Sequence, residues 1–203
     1  LTTTGTRNTA VGTAALDANT TASFNTALGY AALGANTTAS YNTALGDAAL
    51  ASNTTGSKNV AVGQVALNVS TTGINNVAVG NETLDANTTG SNSTAVGTTA
   101  LGANTTGNGV AIGYQALLSN TTGSNNTAVG TNSLRSITNA FDNVAVGSSA
   151  MQNASSISAV NNVAVGMNAL KNTTSGNNIA VGKSALEANT TGSSNIAIGR
   201  GAL

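Results

Sequence analysis

The residues best equipped for acid, base or metal chemistry are six carboxylates, and the chain has neither His nor Cys to act beside them. Paired catalytic carboxylates, or the Asp of a calcium-binding nonapeptide, would recur in register with one another. These six do not, and without His a conventional catalytic triad is excluded. We therefore predict no enzyme activity, no metal site and no cofactor. The carboxylates are Asp17, Asp47, Glu82, Asp85, Asp142 and Glu187.

Tyrosine and threonine suit binding rather than catalysis. Tyr30 and Tyr114 both stand directly after a recurring glycine, where a ring could contact a carbohydrate. Threonine recurs in the triplet Asn-Thr-Thr, and a regular array of Thr hydroxyls and methyls is a pattern that could bind ice. Adjacent Thr residues of an extended segment point to opposite faces, so only one per triplet would lie on a given surface. Ice or glycan binding through the Thr and Asn columns is nevertheless the alternative function.

Each Asn-Thr-Thr triplet is also formally an acceptor for N-glycosylation. The competing interpretation is turn chemistry, in which Asn bonds to its own backbone and the Gly that often follows supplies a positive φ. We favour the turn, because a repeated sequence copies the triplet with every unit. The triplets begin at Asn19, Asn36, Asn53, Asn87, Asn104, Asn120, Asn172 and Asn189.

The charge balance excludes several classes of partner. Six bases match six acids, so there is no basic stripe for a nucleic acid and no polybasic patch for an anionic membrane surface. No run approaches the roughly 18 consecutive apolar residues of a membrane span, and no basic-then-apolar targeting segment opens the chain. We predict no nucleic-acid partner and no membrane insertion in this segment.

A short motif ending in glycine, such as AVG, ALG or AIG, recurs along the whole chain. The step is 17 residues in eight of eleven intervals, which indicates a solenoid or fibrous array. Ala stands two positions before each of these repeat glycines, between two residues that are mostly β-branched, and this pattern predicts a short strand. The repeat glycines are Gly12, Gly29, Gly46, Gly63, Gly80, Gly97, Gly113, Gly130, Gly147, Gly166, Gly182 and Gly199.

A second constant segment follows each repeat glycine. Leu, or once Met151, comes four residues later, whereas the spacing from there to the next glycine varies from 12 to 15 residues. Packed segments resist insertion and loops tolerate it. We therefore predict a second short strand ending at this Leu, followed by a polar surface loop with its longest version between Met151 and Val163.

These patterns predict an all-β fold: a parallel β-roll or β-solenoid of about 12 coils of about 17 residues, forming one array over residues 1–203. Asn four positions before the glycine would form a ladder that donates and accepts hydrogen bonds between coils, and the glycine would occupy a left-handed or crowded turn. The predicted ladder includes Asn8, Asn25, Asn42, Asn59 and Asn76, with Gly12, Gly29, Gly46, Gly63 and Gly80.

The strand pattern also predicts association. Ala would lie on one face and the larger aliphatic residues on the other, so that both faces are apolar. A thin coil of this kind needs a partner chain to cover one face. Three ribbons around one axis would cover it, with Ala where the chains approach most closely.

The motifs NVAVG, GVAIG and NIAIG resemble the head repeats of trimeric autotransporter adhesins, the YadA-like heads, and similar segments of phage tail fibres. The resemblance covers the whole chain and implies a left-handed, trimeric parallel β-roll that is extracellular, at a cell surface or on a virion. The chain departs from the family in its longer repeat and in having AL where a small residue is more usual.

We therefore expect a structural and adhesive fibre segment, an excerpt of a longer array, that assembles with itself as a homotrimer or higher fibre. Its surface loops would be the place for a further partner, a host-surface glycan or protein.

Overall fold

The computed structural model describes residues 4–203, which form strands and turns and no helix. No helix that could cross a membrane occurs in that range. Each strand contains one of the recurring alanines and is three or four residues long. The strands are β1 (Thr9–Val11), β2 (Thr26–Leu28), β3 (Thr43–Leu45), β4 (Val60–Val62), β5 (Val77–Val79), β6 (Thr94–Val96), β7 (Gly109–Ile112), β8 (Asn126–Val129), β9 (Val144–Val146), β10 (Val163–Val165), β11 (Ile179–Val181) and β12 (Ile196–Ile198).

The strands form one parallel sheet in which each strand pairs with the next along the chain. The register follows the repeat, since Ala10 lies opposite Ala27 and Ala27 lies opposite Ala44. Each turn of the chain therefore advances by one strand spacing, about 4.8 Å. The predicted all-β parallel solenoid with coils of about 17 residues is confirmed.

The interior of each coil holds small residues and one leucine. The strand alanine Ala61, the turn alanine Ala66 and the neighbouring Leu67 are all fully buried. Because alanine occupies so little space, the sheet and the opposite wall approach closely, and the leucine fills the remaining width. Leucines in equivalent positions stack along the axis at Leu33, Leu50, Leu84, Leu101, Leu117, Leu134 and Leu170, with Met151 in the same row.

The prediction of a second strand is wrong. The segment after each repeat glycine is a series of turns, and its leucine has a left-handed backbone, with φ of 51° at Leu33. The turn still bonds to its neighbours along the axis. The Leu33 amide donates to the Ala49 carbonyl at 3.0 Å, and the Ala31 amide donates to the Thr13 carbonyl at 2.9 Å. Stacked turns thus satisfy the backbone much as a strand would, which explains why the spacing of this segment is constant.

The repeat glycines lie in close contact with the backbone of the next coil. Their φ values run from 125° to 140°, a region that residues with a side chain rarely adopt. A Cβ atom on Gly63 would also lie 2.3 Å from the carbonyl oxygen of Gly80 in the next coil. Conformation and space therefore both require glycine at this position.

The asparagines four residues before the repeat glycines form a ladder through the interior. Asn59 is fully buried, its Oδ1 accepts from the Asn76 amide at 2.9 Å, and its Nδ2 donates to the Gly73 carbonyl at 2.8 Å. The ladder therefore runs mainly from side chain to backbone. Direct contact between side-chain amides also occurs, as from Asn162 to Asn143 at 3.1 Å.

The strand alanines face the interior of their own coil, so the prediction that they would pack against a partner chain is wrong. Ala27 and Ala44 have no exposed surface, whereas Leu28 and Leu45 are 44% and 41% exposed. The turn segment with its leucine covers the alanine side of the sheet, which lets one chain close its own core. The larger aliphatic side chains remain outside.

Candidate functional site

The outer surface of the sheet is the most distinctive surface of the molecule. We define the sheet face as the residues directly before and after each strand alanine. It consists of Thr, Val or Ile on one side of the alanine and Val, Leu or Ile on the other, and it contains no charged residue. Its side chains are exposed in some coils and half-buried in others, and a continuous strip of accessible methyl groups is typical of an interaction surface.

Two rows of side chains border the sheet face. We define the leading rim as the residues five positions before each repeat glycine, and the trailing rim as the residues directly after it. Arg7, Lys58 and Asp142 are on the leading rim. The trailing rim carries Asp47, Lys183 and Arg200, and the remaining charges lie on the turn segment at Asp17, Glu82, Asp85, Arg135, Lys171 and Glu187.

The carboxylates identified from the sequence do not converge. Asp142 and Asp47 are on opposite rims, and the other four lie along the turn segment. No group of three or more Asp or Glu side chains that could hold a metal ion occurs within residues 4–203.

Aromatic side chains are concentrated on the rims near the start of the array. Phe24 and Tyr41 of the leading rim stack with ring centroids 4.8 Å apart and planes 6° apart, and the Arg7 guanidinium lies 5.0 Å from the Phe24 ring centroid. Tyr30 and Tyr114 are both exposed on the trailing rim. Five coil steps separate them, about 24 Å at the usual strand spacing, so they do not form one carbohydrate site.

A notch of about 190 Å³ interrupts the leading rim beside β7. Asn92, Asn108 and Asn125 line it, together with Gly109 at its floor. Gly109 occupies the place of a ladder asparagine, and the interval from Gly97 to Gly113 is one residue shorter than the usual repeat. A Cβ on the buried Gly109 would point inward, 3.7 Å from Leu117 Cδ1, so the notch accompanies the shortening of the coil and is not the space of a missing side chain.

The shortened coil also leaves a polar group unpaired. Asn104 is fully buried, and neither of its amide atoms has a hydrogen-bond partner within residues 4–203. In a coil of ordinary length the equivalent Asn36 donates to the Ala39 carbonyl at 3.0 Å. An unpaired buried amide destabilises a fold by about 1–3 kcal/mol, so this coil is locally weaker than its neighbours.

The asparagines of the Asn-Thr-Thr triplets serve the turns. Asn53 is buried, and its Nδ2 donates to the Gly56 carbonyl at 2.9 Å. The nitrogen that would carry a glycan is therefore already bonded inside the coil, which favours the turn interpretation over glycosylation. Asn172 and Asn189 differ in being partly exposed, whereas Asn19, Asn36, Asn53, Asn87, Asn104 and Asn120 are buried.

The two threonines of each triplet have different surroundings. The first is mostly half-buried, and its hydroxyl donates to the next coil, as from Thr37 Oγ1 to the Thr54 carbonyl at 3.3 Å. The second is exposed, as at Thr38 and Thr55. One exposed Thr row therefore runs along the loops. Ice binding through this row stays a prediction, which a thermal hysteresis measurement would test.

Asp85 on the turn segment gives a prediction about pH. Burial raises the pKa of its carboxyl above 3.8, and the nearby Glu82 carboxylate raises it further, against backbone hydrogen bonds that lower it. The folded state therefore favours neutral Asp85, so its contribution to stability is largest below pH 3.8 and is lost as the pH rises through the folded pKa.

We expect Asp85→Asn to raise the melting temperature at pH 7 and to leave it unchanged at pH 3, as measured by circular dichroism. Asp17→Asn is the matched control, because Asp17 is exposed at the equivalent position of an earlier coil. An equal rise for both variants at pH 7 would contradict the role of burial at Asp85.

The rims and the notch are the features that sequence reasoning missed. The available signal was the combination of one shortened interval, Gly97 to Gly113, with glycine in a ladder position at Gly109.

Comparisons with family models, with curated proteins and with solved structures found no match to this chain.

Proposed function

We propose that this chain is a structural fibre segment that assembles with copies of itself through the sheet face. The observation that carries the proposal is the exposed to half-exposed strip of uncharged aliphatic and threonine residues along the whole array, bordered by rims that hold charges. Burying such a strip removes apolar area from water without desolvating a charge, which makes association favourable.

The spacing of the strip favours a second copy of the same chain as its partner. Its side chains recur once per coil, about every 4.8 Å. A surface with the same axial spacing can match it over many coils, whereas a globular surface can match only a few. Identical arrays meet this condition by symmetry.

The resemblance to adhesin heads and phage tail fibres supports a trimer, with the three sheet faces around a common axis. The loops with the Asn-Thr-Thr triplets would then point outward, where a host-surface glycan or protein could bind. A location outside the cell, at a cell surface or on a virion, is part of the same proposal.

A single charge in the middle of the sheet face should disrupt the assembly. In Val79→Lys, association would bury an ammonium group without a partner, and in a cyclic assembly several such groups would face one another. We expect the dissociation constant to rise at least about 100-fold, which corresponds to roughly 3 kcal/mol. Sedimentation equilibrium over a range of concentrations measures this change.

Thr89→Lys is the matched control, because Thr89 is exposed on a loop away from the sheet face. It should leave the mass of the assembly unchanged, at three times 19.5 kDa for a trimer. A wild-type chain that sediments as a monomer at micromolar concentrations would overturn the proposed function.

A further inference from the structure

We infer that Tyr114 of each copy inserts into the notch beside Gly109 of a neighbouring copy, and that this contact sets the copies parallel and level with one another. The inference rests on the proposed self-assembly and goes beyond it by naming the contact that fixes its geometry. Tyr114 and the notch flank the same strand, β7, from opposite rims.

Symmetry brings the two rims together. When copies are related by rotation about an axis parallel to the solenoid, with their sheet faces toward that axis, the leading rim of one lies against the trailing rim of the next. Coils of equal number then meet at the same height. A heterologous contact of this kind closes into a ring. Tyr114 of one copy therefore faces Asn108 and Gly109 of its neighbour.

The notch and the ring match in size and chemistry. The notch measures about 190 Å³ and is open to solvent on one side, so an aromatic ring could lie against its lining. Side-chain amides of Asn92, Asn108 and Asn125 surround it, and these can bond to a phenol hydroxyl. Tyr114 is 51% exposed in the single chain, so its ring is free to enter a neighbour.

The coil that forms the notch is costly to maintain. It lacks the ladder asparagine at Gly109 and leaves the buried Asn104 amide unpaired. Departures from otherwise consistent local rules are concentrated at functional sites. Binding of Tyr114 from a neighbouring copy explains why this coil departs from the repeat.

Two further pairs of features meet under the same rotation. Tyr30 of one copy faces the stacked Phe24 and Tyr41 rings of the next, since Tyr30 and Phe24 flank β2. Lys58, which precedes β4, faces Gln64 of the neighbour, whose Nε2 lies 3.5 Å from Oδ2 of Asp47 one coil away. One further aromatic group and one charged group thus find complementary partners in the parallel arrangement.

An antiparallel pair is the competing arrangement. Rotation about an axis along the strands would place each rim against the same rim of the partner. Lys58 could then meet Asp142, but Tyr114 would face trailing-rim residues such as Thr98 instead of the notch. Only the parallel arrangement uses the notch and the aromatic cluster together.

Cysteine pairs distinguish these arrangements, because the chain has no Cys of its own. The double variant Tyr114→Cys with Asn108→Cys would be oxidised mildly and run on a non-reducing gel. The two positions lie six residues apart across an extended strand, about 20 Å, too far for a disulfide within one chain. We expect covalent trimers in a threefold ring, or dimers in a twofold one, with at least about tenfold more crosslinking than in Tyr114→Cys with Asn177→Cys.

Asn177 is the matched control because it is an exposed leading-rim asparagine at a distant coil. Crosslinking of Lys58→Cys with Asp142→Cys instead would overturn the parallel arrangement, because these two positions meet only in the antiparallel pair and lie five coils apart in one chain, about 24 Å. A double variant that keeps the mass of the assembly but forms no disulfide would overturn the Tyr114 seat and leave the proposed function standing, whereas a wild-type chain that sediments as a monomer would overturn both.

Tyr114→Ala tests the seat without cysteines. Because Tyr114 is exposed in the single chain, the variant should keep the circular dichroism spectrum and weaken association about 30-fold or more, in the range of an interface hot spot. Tyr114→Phe, which keeps the ring, should lose much less. Equal dissociation constants for the wild-type, Tyr114→Ala and Tyr114→Phe assemblies would overturn the inference.

Discussion

Gly63→Ala should destabilise the solenoid by about 2–6 kcal/mol, one of the largest effects expected of a single substitution in this chain. Gly63 has a φ of 133°, so any side chain is strained there. The new Cβ would also lie 2.3 Å from the oxygen and 2.6 Å from the carbon of the Gly80 carbonyl. These atoms are backbone of the next coil, so relief requires the two coils to separate. Urea unfolding followed by circular dichroism measures the loss.

Gly34→Ala is the matched control for the same change of residue. Gly34 has no left-handed φ, and its nearest Cβ contacts are the Ala31 and Ala14 oxygens at 3.1 and 3.3 Å. Ala51 occupies the equivalent position one coil later, so this loss should stay below about 1 kcal/mol. If Gly63→Ala were no more destabilising than Gly34→Ala, conformation and space would not require glycine at the repeat position.

The repeat itself made most of the fold predictable. A fixed interval of 17 residues dictates stacking, and the alternation around each strand alanine dictates a strand. Stacking then brings identical residues together, so Asn42 had to lie beside Asn59 once the register was known. No knowledge of side-chain packing was needed for these steps.

The assignment of faces failed for a physical reason. Both sides of each strand are apolar, so hydrophobicity cannot tell which side the chain itself covers. The answer depends on the turn segment, where Leu33 and Ala31 adopt left-handed conformations. Such conformations are unfavourable for residues other than glycine and cannot be anticipated from their types. They fold the segment back over Ala27 and leave Leu28 exposed.

The two rims could not be predicted from the sequence for a related reason. Phe24, Tyr41 and Lys58 look scattered in the sequence, and their common row becomes visible only when the position of each residue within its coil is known. The notch accompanies a coil that is one residue shorter than the usual repeat. A search for functional residues in a sequence finds groups that are present and overlooks a deleted residue.

Asn59→Leu should be similarly damaging, with a loss of about 2–6 kcal/mol, although it replaces a buried polar residue with an apolar one of similar size. The Asn59 side chain bonds to the Asn76 amide at 2.9 Å and the Gly73 carbonyl at 2.8 Å. Both groups would be left unpaired in the interior, at about 1–3 kcal/mol each. Greater hydrophobicity of Leu cannot offset this, because the unpaired partners belong to the backbone and remain in place.

Asn139→Leu makes the same change on an exposed loop and should alter the free energy of unfolding by less than about 0.5 kcal/mol. Asn59→Ser should fall between the two, because Ser93 in the same ladder still donates to the Gly107 carbonyl at 3.4 Å. Unfolding curves for the three variants should be recorded at one protein concentration, since assembly also contributes to apparent stability. An Asn59→Leu chain as stable as wild type would mean that burial of apolar surface, rather than the ladder, holds successive coils together.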